Sequence, residues 1–84
     1  MRITEFQQLI HDRYYQTDSA RGAPATFLWF SEEVGELAQA IAERELGDGD
    51  PVNLREEFAD VLAWLTTLAN VTAFEKGEAS GNEL

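Results

Sequence analysis

Apolar residues recur along this chain at spacings of three and four, the period of a helix that buries one face. Ile3, Phe6, Leu9, Ile10 and Tyr14 carry that pattern from Ile3 to Tyr15, with Thr4 as a capping residue at its start. The pattern lapses over Gln16 to Pro24. Gly22 and Pro24 predict a turn-rich connector there, with helix restarting at or just after the proline. A second helix is expected from about Ala25 to Leu46, where Phe27, Phe30, Val34, Leu37 and Ile41 form one stripe. Gly47-Asp48-Gly49-Asp50-Pro51 ends it, a glycine just past the helix and a proline beyond. The third helix is expected from Val52 or Asn53 to Thr72, on Leu54, Phe58, Val61, Leu62, Leu65 and Leu68, and Asn53 followed by Glu56 resembles a capping arrangement.

The short Gly-Asp loop sets the second and third helices antiparallel. The expected fold is therefore all-α: a three-helix protomer with antiparallel helices, in a domain spanning 1–72. Residues 73–84, rich in Gly, Ser and Asn, read as a flexible tail. A chain of 84 residues has a thin core of its own. Helices this rich in Phe, Trp and Leu therefore point to helical bundles formed through oligomerisation, as a homodimer or homotetramer.

Composition narrows the chemistry. Sixteen acidic against six basic residues give a net charge of −10, which repels a nucleic-acid backbone. No segment is apolar for the ~18 residues of a membrane span, and Met1-Arg2-Ile3-Thr4-Glu5 is no signal peptide, so a cytoplasmic protein without membrane contact is expected. The absence of cysteine removes disulfides and thiolate zinc sites, and His11 alone cannot form a polyhistidine centre. Oxygen ligands remain.

Those ligands come in two matched groups. Glu32-Glu33-Val34-Gly35-Glu36 lies in the second helix and Glu56-Glu57-Phe58-Ala59-Asp60 in the third. Within them Glu33 with Glu36, and Glu57 with Asp60, sit three residues apart, as neighbours on a helix surface where like charges repel. Packing the two helices together gathers four carboxylates, and a hard divalent cation such as Mg²⁺ is the simplest species that makes this favourable. Gly35 and Ala59 occupy matching places, and small residues there permit close backbone approach. Trp29 lies one turn before Glu33 and Trp64 one turn after Asp60. An aromatic ring there can stack on a nucleobase; the alternative is that both rings pack in a core or subunit interface.

Taken together, E-E-x-x-E followed by E-x-x-D on neighbouring helices of a small acidic chain resembles the MazG-like nucleotide pyrophosphohydrolases of the all-α NTP pyrophosphatase superfamily. The likeness covers roughly Ile3 to Asn70, including Asp18-Ser19-Ala20-Arg21-Gly22, Thr26 through Ala38, and Glu57 through Leu65. It implies Mg²⁺, with Mn²⁺ as a substitute, held by Glu33, Glu36, Glu57 and Asp60, which are also the catalytic set. Glu32 points away and has a supporting role at most. The implied reaction is cleavage of a nucleoside triphosphate between its α and β phosphates, giving the monophosphate and pyrophosphate. Either Glu33 or Glu36 doubles as the water-positioning base. Arg21 and Arg55 are the nearest basic groups to steady the triphosphate, each with an ordinary surface arginine as its alternative.

One stretch departs from the family pattern. Members usually continue past the third helix with a Gly-hydrophobic-Asp-type turn and a further basic helix, where this chain reads Asn70 to Leu84 without one. Three other readings compete. Phosphoribosyl-ATP pyrophosphohydrolase shares the superfamily, but usually carries lysines before its first glutamates, where Phe27-Leu28-Trp29-Phe30-Ser31 stands here. A catalytically silent acidic helical module that binds a partner protein is the second. A calcium loop at Asp48-Gly49-Asp50 fails, because its fifth position is Val52 and the loop's glutamate is out of place.

Overall fold

The computed structural model describes residues 1–75 and 83–84, and of 73–75 the backbone alone. Its described residues form three helices and no strand: α1 (Ile3–Arg21), α2 (Ala23–Glu45) and α3 (Pro51–Glu75).

The connector expected over Gln16 to Pro24 shrinks to one residue. α1 runs on past Tyr15 because its polar side chains find partners within the helix: Arg21 Nη2 donates to Asp18 Oδ1 at 3.1 Å and the Ser19 hydroxyl to the Gln16 carbonyl at 3.3 Å. Gly22 then takes the whole break, with φ 84° and ψ 163°, a backbone conformation open in practice to glycine alone. Its carbonyl accepts both the Thr26 N–H at 3.1 Å and the Thr26 hydroxyl at 2.7 Å, which starts α2 with Pro24 in its first turn.

α1 and α2 follow one another in the same sense, and α3 runs back across both. Placed end to end and straight, the first two helices would span about 63 Å at 1.5 Å per residue. The longest dimension of the protein is 46 Å, so the chain bends at Gly22. The first half of α3 lies on α2, where Trp64 meets Trp29 and Glu57 meets Glu33 and Glu36. Its second half lies on α1, where Asn70 meets Gln7, while α1 scarcely touches α2.

The α2–α3 turn closes as its sequence predicts at one end and differently at the other. After α2, Gly47 with φ 86° donates its N–H to the Arg44 carbonyl and Asp48 donates to that of Glu43, a paired C-terminal closure that needs a left-handed residue. At the start of α3 the cap is Asp50, whose Oδ1 accepts the Val52 N–H at 2.9 Å with Pro51 in the first helical position. Asn53 is already inside the helix, so it does not cap it. Nor does Thr4 cap α1, which starts from Arg2 without a side-chain cap.

The interior is polar. Ala40 and Val71 are its buried apolar residues among those described, beside buried Gln7, Asp18, Thr26, Thr66, Thr67 and Asn70. Thr66 satisfies its hydroxyl on the Leu62 carbonyl, one turn back. The apolar stripes are split: Phe30, Leu37, Leu54, Val61 and Leu68 are half-buried, while Phe27, Val34, Ile41, Phe58, Leu62 and Leu65 are between 38 and 55% exposed. Small and polar residues fill the closest helix contacts, and part of each apolar stripe stays on a free face. Of the expected tail, 73–75 continue the α3 backbone, and 76–82 lie outside the described residues.

Candidate metal centre

The antiparallel seam between α2 and α3 brings together Glu33, Glu36 and Glu57, each offering a carboxylate oxygen within 4.8 Å of the others. Helical spacing puts Glu33 and Glu36 on adjacent turns of α2, and Glu57 reaches them from the second turn of α3. Glu33 and Glu57 are half-buried, and Glu36 is exposed.

Crowding has electrostatic consequences. The Glu33 carboxyl is pushed above its ordinary 4.5, first by burial and then by the charges of Glu36, Asp60 and Glu57. That of Glu57 rises as well, again from burial first and then from Glu36 and Asp60. Glu33 Oε2 and Glu57 Oε2 are shielded from water and accept no hydrogen bond among the described residues. Water-shielded carboxylate oxygens left unpaired are costly, and three carboxylates gathered from facing helices are a donor set that a hard cation takes. The residues present fit a divalent metal.

The remaining expected site residues fall around this group. Asp60 is exposed and outside the compact trio, yet its charge acts on both Glu33 and Glu57. Glu32 is exposed, away from the trio as helical geometry requires. Trp29 and Trp64 stack on each other across the seam, with ring centroids 6.3 Å apart and planes 21° from parallel. Arg21 lies against Trp64, its guanidinium carbon 4.9 Å from the ring centroid, while Arg55 stands exposed on the early turns of α3. Gly35 does not serve a close approach within the protomer, for a Cβ there meets nothing within 4 Å.

Asp18 is the residue that sequence reasoning passed over. It is 6% exposed and holds Arg21 in place. Its signal was the spacing Asp18 to Arg21, a helical ion pair that is hidden when the stretch is read as a loop.

The profile of the MazG nucleotide pyrophosphohydrolase domain matches residues 22–80, which take in α2, α3 and every carboxylate of the group. No curated protein and no solved structure matches the chain.

Proposed function

The chain belongs to the MazG nucleotide pyrophosphohydrolase family, and from that premise we propose a Mg²⁺-dependent enzyme that hydrolyses a nucleoside triphosphate to the monophosphate and pyrophosphate. The observation that carries the reading is the pair of unpaired, water-shielded oxygens, Glu33 Oε2 and Glu57 Oε2, within a three-carboxylate group. A protein of net charge −10 does not attract a triphosphate unless cations intervene.

Glu33, Glu36, Glu57 and Asp60 are the ligand set in this proposal, with Mn²⁺ as an alternative ion. Bound there, a divalent cation supplies neutralisation of phosphate charge and polarisation of the attacked phosphorus. The chain's own residues do the rest. Glu33 and Glu57, anchored on facing helices, would hold that ion at the α2–α3 seam; as carboxylates they repel phosphate and would not contact it directly. Glu36, the solvent-facing member, orients a water and takes its proton as the water oxygen bonds to the α-phosphorus. The bond from that phosphorus to the bridging oxygen breaks, and pyrophosphate leaves with that oxygen. Glu32 and Arg55, both exposed, are assigned supporting roles at the rim, Arg55 toward the outer phosphates.

We place this activity in a domain of residues 1–72, since α3 packs on α1 as well as α2, and in the cytoplasm; no described helix is long and apolar enough to cross a membrane. The exposed stripes on α2 and α3 fit a second copy, as a homodimer or homotetramer. Phosphorus NMR of a panel of ribo- and deoxynucleoside triphosphates with Mg²⁺ tests the chemistry. Monophosphate and pyrophosphate are the expected products. Orthophosphate and diphosphates, or no turnover, contradict it, and the last outcome favours a silent acidic module.

A further inference from the structure

Beside the carboxylate seam, α1 and α3 form an open, mainly apolar cleft of about 340 Å³. Tyr14, Asp18 and Arg21 line it from α1, and Ala63, Trp64 and Thr67 from α3. This is the lower end of small-ligand pocket sizes, enough for one planar ring system but not for a triphosphate as well. Trp64 follows Glu57 by two helical turns, about 10 Å along α3, a reach that a ribose and its α-phosphate bridge.

Arg21 is the cavity's polar instrument. Asp18, itself buried, accepts from Nη2 and balances the guanidinium charge. With its charge already balanced by Asp18, Arg21 suits a neutral acceptor better than a triphosphate. Trp64 supports the guanidinium from beneath at 4.9 Å, a cation–π contact that holds its plane. Nη1 is shielded from water and has no acceptor among the described residues. A buried N–H left unmet is unfavourable, so an acceptor atom delivered by a ligand is worth more here than at the surface.

We propose that this cavity receives the nucleobase, and that Arg21, positioned by Asp18, donates from Nη1 to a carbonyl on the ring edge. Only the phosphate end of this inference rests on the pyrophosphohydrolase reading. The donor sets the substrate class: uracil, thymine, cytosine and guanine carry a ring carbonyl, and adenine has none. Asp18 is a positioning residue and acts through Arg21.

Two experiments separate the cavity from the hydrolysis. In EDTA, tryptophan fluorescence follows the binding of uridine, cytidine, guanosine and adenosine, which carry no phosphate. The first three quench Trp64 at concentrations about tenfold below adenosine, in the low-millimolar range expected for a fragment-sized ligand. Arg21→Lys, which keeps the charge but loses Nη1, levels that preference, and Ala63→Leu, which fills the cavity, abolishes binding while its melting transition shows that it is folded. With Mg²⁺, Asp18→Asn raises KM for UTP, CTP and GTP about tenfold while kcat moves far less, and Asp18→Glu restores part of the loss. No quenching by any nucleoside, adenosine binding as well as the others, or wild-type binding in both Ala63→Leu and Arg21→Lys overturns the proposal. If the nucleosides bind as described and no triphosphate is hydrolysed, the pyrophosphohydrolase reading fails and the base cavity stands.

Discussion

Gln7 and Asn70, far apart in sequence, are joined by two hydrogen bonds in the interior: Gln7 Nε2 donates to Asn70 Oδ1 at 3.0 Å, and Asn70 Nδ2 to the Gln7 carbonyl at 3.3 Å. The Leu84 N–H donates to Gln7 Oε1 at 3.1 Å, so one amide side chain meets two distant parts of the chain. With so little apolar core, this pair is a principal tie between α1 and α3. Asn70→Ala leaves a buried amide without its partner and is expected to cost about 1–3 kcal/mol. Urea denaturation measures it, and a change below the error of the fit contradicts the assignment.

Gly22 carries the bend between α1 and α2. Any side chain there meets a conformation that L-residues avoid, so Gly22→Ala should lower stability by about 1–3 kcal/mol. The opposite effect is expected at Gly35, which is exposed, helical and surrounded by open space. Gly35→Ala should stabilise the protein by about 0.5–1 kcal/mol through helix propensity. Thermal melts of the two variants should move in opposite directions.

Much of this fold was legible in the sequence, and the places where it was not share a cause. Stripe spacing located all three helices, and Gly47 marked the end of α2 because a left-handed closing residue has a sharp sequence signature. Gln16 to Arg21 read as a connector because Asp, Ser and Gly have poor helix propensity, yet the Asp18–Arg21 pair and the burial of Asp18 hold those residues in α1. Tertiary contact overrode a local preference. Asn53 misled for a related reason, since Asp50 with Pro51 after it makes the better cap. Glu33, Glu36 and Glu57 could be read from spacing alone, because period and loop length determine which helical faces meet. The ring contact of Trp29 with Trp64 could not, because rotamer and helix rotation decide it.

The raised carboxyls of Glu33 and Glu57 give the metal-free protein a pH dependence of definite sign. Between the ordinary 4.5 of a glutamate and their raised values in the folded protein, the native state holds more protons than the unfolded chain. Their contribution to stability is therefore greatest below that window and is lost as pH rises through it. Saturating Mg²⁺ should raise the melting temperature above the window and lose its effect under acid, where protons compete for the same oxygens. Melting curves in EDTA and in Mg²⁺ across this range check both trends.

Phe58 tests the outward stripe. It is 54% exposed in the protomer, so Phe58→Glu should leave an isolated protomer intact. If a second copy covers it, the wild type sediments as a dimer or tetramer at micromolar concentration and the variant as a monomer. A monomeric wild type contradicts the oligomer.

The central claim is that carboxylates on facing helices hold the ion on which catalysis depends, and pyrophosphate release by wild type and Glu57→Gln in Mg²⁺ tests it most directly. Glu57→Gln preserves shape and removes one ligand charge from the crowded group, so the protein should fold as before and turn over its best triphosphate about 100-fold more slowly or worse. Asp60→Asn, which neutralises the outlying charge, should also lose activity without unfolding. Turnover undiminished in Glu57→Gln would contradict the account.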